Sequence, residues 1–312
     1  MIYKKIILKP KSWLISKLES DTILSYIFAY NFEKLTDIYK KFQNWQELPF
    51  LITNWFLENT LPRPIYFTNS NNADESKKTT LFEDIKNEPD KKKIKKLWNI
   101  SLNKNILEMI FTWKEEELRE QLRIYSKNNE SKKINETVWE YKNNIALFNI
   151  WETKPFEIEN IDYITWNYVI YVKIFDEKDF NIFFDCLKNT FEKIGFWKGK
   201  SRWYGHFKNV ENFDLDENEK EVFEYLDELK KQNLYLVLNN YKPKTEEIEN
   251  FDLEKSFYQI NTKHTKSLNE FNENIFKWQM NFINNWSVIK SQKNLIWDNY
   301  KSWNSYNFWY IF

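Results

Sequence analysis

The stretch YVIYVKIFDEKDFNIFFDCLKNTFEKIGFWKGKSRWYGHF, residues 168–207, decides the fold. Its opening, the end of IDYITWNYVIYVKIF, is rich in β-branched and aromatic residues and reads as a strand. Phe180, Phe183, Phe184, Leu187, Phe191 and Ile194 then recur at helical spacing. Asp176 is placed to cap that helix and Gly195 to end it. WYGHFKNV beyond supplies another strand. Between helix and strand lies GFWKGKSRWYGHF (195–207), holding Gly195, Gly199 and Gly205, all three glycines of a 312-residue chain.

The same grammar opens the chain. IYKKIILK reads as a strand leaving a sheet at Pro10, and SDTILSYIFAYNFEKLTDIYKKF as a helix with Ser20 or Asp21 as N-cap. LPFLITNWFLENTLPRPIYF is punctuated by Pro49, Pro62 and Pro64, which predicts a protruding hairpin or arm over about 48–68 and excludes a central strand. Residues 69–93 are polar and charged, and about 91–125 read as a helical insertion. NLYLVLNNY and WSVIKS add late strands. The expected fold is α+β: two tandem ferredoxin-like domains, residues 1–137 with the arm and insertion, and 138–312 with the glycine-rich loop.

Composition narrows the function. Forty-six basic and forty-six acidic residues cancel, so an anionic ligand must be attracted by a local patch. One is visible at the loop, where Lys193, Lys198, Lys200, Arg202 and Lys208 face a single acid, Glu192, while ENFDLDENEKEVFEYLDE downstream is acidic. Cys186 is alone and His206 and His264 are the only histidines, which argues against disulfides and against a zinc site, and suits a cytoplasmic setting. The apolar run of MIYKKIILKPK is too short for a signal peptide, and no stretch approaches membrane-spanning length.

Glycine is normally about 7% of residues, so three are far too few, and fifteen tryptophans are far too many. Several tryptophans stand where turn chemistry asks for glycine, in Asn54-Trp55, Asn285-Trp286, Trp297-Asp298 and Trp303-Asn304. Both anomalies have one explanation if the gene uses UGA for glycine and the sequence renders it as tryptophan. The alternative is a chain truly rich in tryptophan.

Glycines let backbone N–H groups approach phosphate oxygens, and Lys198, Lys200 and Arg202 add charge there. The spacing fits neither GxxxxGK[ST] nor GxGxxG, so nucleotide hydrolysis and dinucleotide binding lack support. Taken alone, such a loop is more often an ordinary turn. The lysine run KKKIKKL (91–97) reads first as a solvated helix face. His206 has no partnered acid in the sequence and reads as a packing or hydrogen-bonding residue. Tyr204 and Phe207 are candidates to stack on bases, with strand alternation placing one of them in the core.

GFWKGKSRWYGHF resembles the glycine-rich loop of the RAMP superfamily, specifically of the Csm-type subunit holding the crRNA 5′ handle in type III-A CRISPR complexes. LKPKSWLISKLESDTILSYIFA, NWFLENTLPRP, KKIKKLWNISLN, NFINNWSVIK and YNFWYIF resemble further segments of that family in the same order. The family prefers glycine where this chain has Trp197, Trp203, Trp286 and Trp309, and also at Ser25. The resemblance implies a noncatalytic, cofactor-free RNA-binding subunit of antiviral defence. Its RNA would lie along Lys11, Ser12, Ser20, Asp21, Thr22, Gly195, Lys198, Gly199, Lys200, Ser201, Arg202, Tyr204 and Gly205. It also implies docking beside the large polymerase-like subunit and the repeated backbone subunit, with target RNA near the arm, where Arg63 would touch RNA or a neighbour. The rivals are a crRNA-processing endoribonuclease of the same superfamily, weakened because residues 1–205 lack histidine, and the equivalent type III-B subunit.

Overall fold

A computed structural model describes residues 2–12, 18–43, 48–62, 99–112, 139–149, 152–161, 167–196, 205–263, 266–268, 274–276, 280–293 and 295. The chain begins with strand β1 (Ile2–Pro10), helices α1 (Ser20–Tyr30) and α2 (Phe32–Gln43), and the short strands β2 (Phe50–Ile52), β3 (Phe56–Leu57) and β4 (Thr60–Pro62). β5 (Asn99–Ser101), α3 (Lys104–Phe111) and the hairpin β6 (Trp139–Asn149) and β7 (Glu152–Ile161) follow. Next come β8 (Tyr168–Ile174), α4 (Glu177–Asn189) with a π-helical turn Thr190–Ile194, β9 (Phe207–Asp214) and α5 (Glu217–Lys231). The last part holds β10 (Leu234–Leu236), α6 (Thr245–Ile248), β11 (Ile260–Lys263), β12 (Lys266–Leu268), β13 (Asn274–Phe276), β14 (Met280–Ile283) and β15 (Val288–Lys290).

The main sheet runs β2-β8-β1-β9 and is antiparallel throughout, with β3 also on β8. β1 sits inside it, Ile6 facing Ile170 on one side and Asn212 on the other. Strands from both halves of the sequence therefore share one sheet and one main core. The expected boundary at residue 137 does not separate two sheets. Each half does read as strand then helix, but periodicity reports neighbours in sequence, and the edges β1 needs belong to residues 168–174 and 207–214.

The arm is corrected as well. β2 pairs with β8 and is fully buried, so residues 50–57 close one side of the sheet. Pro49 precedes the strand, where a missing N–H costs nothing, and β2 is an edge, as its prolines required. Residues 63–68 lie outside the described residues, as do 91–98 and 113–125 of the expected helical insertion.

Alternation along β1 gives the sheet two faces. On one face, Phe50 meets Phe42, Phe180 and Phe183 of α2 and α4, at ring separations of 5.0, 6.0 and 4.7 Å. Each such fully buried ring contributes on the order of 2–3 kcal/mol. On the other, α5 lays Phe223 against Tyr3 and Tyr171, while Glu219 takes Lys5 at 2.7 Å and Asp227 takes Lys173 at 2.7 Å. The acidic run expected to form an acidic surface thus turns part of its charge inward onto lysines of the sheet.

The single long helix expected over 20–42 breaks at Asn31, whose side chain donates to Ile27 O and Thr190 Oγ1 at 3.0 Å each. α4 starts as the sequence predicts. Asp176 accepts from the N–H groups of Lys178 and Asp179 and pairs with Lys41 of α2 at 3.2 Å. The backbone bond from Asp179, then Lys41, holds its carboxyl below the usual aspartate range. Asp176→Ala should cost about 1–2 kcal/mol, mostly through the lost cap, because the ion pair is exposed and adds little. A carboxyl with a lowered folded-state pKa stabilises above its unfolded pKa, so the deficit should vanish as pH falls through the folded-state value. Urea unfolding of both forms across acid pH checks it; a deficit unchanged in acid would assign the effect elsewhere.

Candidate nucleic-acid interface

The described residues on either side of the glycine-rich loop form a clamp. The π turn ends when Gly195 N–H donates to Thr190 O at 3.0 Å, and such turns often mark functional sites. Gly195 adopts φ +86° and Gly205 φ +73°, a region open to glycine at little cost. Phe196 N–H donates to Gly205 O at 2.7 Å, which closes the base of the loop. A Cβ at Gly205 would lie 2.3 Å from Phe196 O, so glycine is required there by contact as well as by φ.

Aromatic packing seats this clamp in the core. Phe196 is buried against Phe191 and Tyr26, and Phe191 stacks on Phe207 with centroids 4.9 Å apart. Tyr26 of α1 donates its hydroxyl to Gly195 O at 2.7 Å. Phe207 is thus a core residue, as alternation predicted for one of the pair; Tyr204 lies outside the described residues.

β1 supplies the third side. Lys11 and Ser12 donate their N–H groups to His206 O at 2.8 and 3.3 Å, and Ser12 Oγ accepts from His206 N–H at 2.9 Å. Of the predicted site residues, Lys11, Ser12, Gly195 and Gly205 are therefore brought together, with Lys11, Lys193 and Lys208 exposed around them. The His206 ring packs over Gly195, 3.0 Å from where a Cβ would stand. Lys198, Gly199, Lys200, Ser201 and Arg202 lie outside the described residues.

Nearby charge is partly spent. Glu192 accepts from Val210 N–H on the edge strand β9 at 3.0 Å, and Lys9 pairs with Glu211 at 3.2 Å. An Asn209 side-chain bond, then Lys9, holds the Glu211 carboxyl below its ordinary range.

Ser20, Asp21 and Thr22 do something else. Glu19 occupies the N-cap position, without a side-chain cap bond, and Ser20 and Asp21 are buried. The expected Ser or Asp cap is replaced by a neighbour: Asn54 Oδ1 accepts Ser20 N–H at 2.8 Å. Asn240 donates to Asp21 Oδ1 at 3.3 Å, and Asn54 N–H donates to Leu238 O. Only Thr22 is half-buried. The sequence reading missed Tyr26, Asn54, Phe196 and Asn240; Asn240 stands 219 residues from its partner, and nothing local signals such a pair.

Among the described residues no group of side chains can hold a metal ion, and no helix is long and apolar enough to cross a membrane. No protein-family model matches the chain, and no curated protein matches it. Solved structures do. A chain of the Csm3–Csm4 subcomplex in the type III-A CRISPR-Cas interference complex aligns with 95% of this chain and 94% of its own, at TM-score 0.59 and 17% identity. The two chains share a fold. A chain of a Csm1–Csm4 cassette in complex with one ATP aligns with 99% of this chain and 96% of its own, at TM-score 0.49 and 12% identity. The fold shared with the Csm3–Csm4 subcomplex chain is mixed α/β with antiparallel sheets.

The clamp predicts an order of sensitivity. Gly205→Ala must push its Cβ into backbone and should cost about 2–4 kcal/mol. Gly195→Ala meets first the movable side chain of His206 and should cost about 1–3 kcal/mol. Tyr26→Phe should cost about 1 kcal/mol for the lost bond to Gly195 O. Denaturant midpoints give the ranking, and Gly205→Ala at or below Gly195→Ala would show that the clamp is not closed as described.

Proposed function

We propose that the chain is a noncatalytic RNA-binding subunit of a type III-A CRISPR effector complex, anchoring the 5′ handle of the crRNA through the loop 195–207. The observation that carries this reading is the clamp, which joins the two ends of a lysine-rich glycine loop through Phe196 and Gly205 and ties the His206 end to the residues that follow β1. The loop's composition suits a phosphate chain, since glycines leave backbone N–H groups accessible and Lys198, Lys200 and Arg202 add charge, with the exposed Lys11, Lys193 and Lys208 at its base. The near full-length fold match supports membership of a Csm complex.

In this reading β1, α1–α2, β2, β8, α4 and β9 make the first ferredoxin-like unit, with residues 53–167 inserted between its second and third strands. The expected second unit would come from the chain after α5, which has a core of its own at Tyr235, Val237, Tyr241, Phe251, Ile283 and Ile289. The large polymerase-like subunit and the repeated backbone subunit are the neighbours. Ser20, Asp21 and Thr22 line the RNA path only indirectly, as the joint between α1 and residues 237–241.

Changing Lys198, Lys200 and Arg202 to Ala should weaken binding of a repeat-derived handle RNA and lower the slope of log K against log salt by about 2–3. Equal affinity and equal slope would remove these residues from the RNA site. The same RNA incubated with the wild-type chain alone should stay intact; specific cleavage lost on substitution of His206 would instead favour an endoribonuclease.

A further inference from the structure

Among the described residues the left-handed region of the backbone is entered at Asn59, Asn233, Trp286, Gly195 and Gly205. Four of these are the residue types that adopt it routinely, glycine and asparagine. Trp286, at φ +71°, is the exception.

The position is held there by its surroundings. Ser287 N–H donates to Asn284 O at 3.3 Å, closing a turn in which Trp286 is the third residue and Asn285 does not have positive φ. That sign pattern belongs to a type II turn, which calls for glycine at its third position. Both flanks are pinned: Trp286 N–H donates to Val237 O at 2.6 Å, Val237 N–H to Ser287 O at 2.8 Å, and Asn284 N–H to Gln259 O at 3.0 Å. Rotating φ to a value that suits an indole would break these bonds beside a fully buried Ser287. The fold itself asks for glycine here.

We infer that residue 286 is glycine in the protein made by the cell that owns the gene, the codon behind it being UGA decoded as glycine. Codon meaning belongs to a gene, not to a site, so Trp197 and Trp203 are glycine wherever the same codon stands. This accounts at once for three glycines and fifteen tryptophans. Trp55, half-buried and edge-on to Tyr168 at 4.7 Å in an ordinary backbone conformation, accommodates either residue, and its codon decides. For the loop, the consequence rests on the RNA-binding reading: the recoded segment reads GFGKGKSRGYGHF, with glycine instead of indole at two positions of the proposed RNA-binding loop. The inference at 286 does not depend on it.

The first test is the codon at 286, followed by the mass of the peptide spanning it in protein purified from the source cells. UGA with a glycine-mass peptide is expected; UGG, or a tryptophan-mass peptide, overturns the inference. The second uses the recombinant full chain. Trp286→Gly should raise the melting temperature by about 2–4 °C, whereas Trp286→Ala should not, because alanine keeps the Cβ that positive φ disfavours. Equal effects of Gly and Ala, or a loss with Gly, would overturn the geometric ground. The third titrates a repeat-derived handle RNA at fixed salt against the chain as written and against Trp197→Gly/Trp203→Gly. Glycine should bind at least about threefold tighter. Unchanged or weaker binding alongside a glycine-mass peptide at 286 would overturn the loop's RNA role and leave the recoding standing.

Discussion

Strand β1 is hydrogen-bonded along both edges, and the rest of the molecule is arranged around that fact. Its partners are β8 and β9, more than 150 residues downstream of its start. The entropy of closing so long a loop rises only with the logarithm of its length, so a large insertion between β2 and β8 costs little extra. What the sheet does enforce is position. The β1–β9 register shifts between Lys9 and Pro10, Pro10 lies opposite Phe207, and the next two residues bond to His206, so the base of the glycine loop is tied to the end of the sheet through this irregularity. A site built this way inherits the rigidity of a central strand.

The sheet's second face is closed by α5. Some RNA-binding sheets stack bases on aromatic residues of their central strands. Here the corresponding positions, Tyr3 and Lys5 on β1 and Tyr171 and Lys173 on β8, are occupied by the chain itself. Phe223 of α5 takes the place of a base, and Glu219 and Asp227 take the place of phosphates. Tyr171 also donates to Glu219 Oε1 at 3.2 Å, and Tyr3 to Asp227 Oδ2 at 2.7 Å. Buried ion pairs of this type add little net stability, but removing one partner strands the other, so they specify how α5 must lie. That face is filled by Val222, Phe223, Leu226 and Leu229 of α5.

Local features were legible in the sequence, and distant pairings were not. β1, β8, α4 with its Asp176 cap, and Gly195 as the helix end follow from residue type and period alone. So does the burial of Phe207. The boundary at 137 does not separate two sheets because nothing in IYKKIILK says which strands will flank it, and residues 50–57 of the expected arm join the sheet because proline excludes a central strand without excluding a buried edge. Ser20-Asp21 looked like a cap because Ser and Asp are good caps. The cap function had passed to Asn54, a residue that reads locally as one half of a turn dipeptide.

That transfer bears on how α1 contributes to the site. An open helix N-terminus is an anion site because its first N–H groups point outward unsatisfied. At α1 the Ser20 N–H is already spent on Asn54, and the Asp21 carboxylate is buried with Asn240. A carboxylate there competes with a phosphate instead of recruiting one. The helix therefore acts through the other side of its first turns, where Tyr26 holds the carbonyl of Gly195 and packs on Phe196. One helix thus joins two distant parts of the chain: its start fixes residues 54 and 238–240, and its middle fixes the loop base. A single helix of eleven residues thus contacts both the loop base and Asn240.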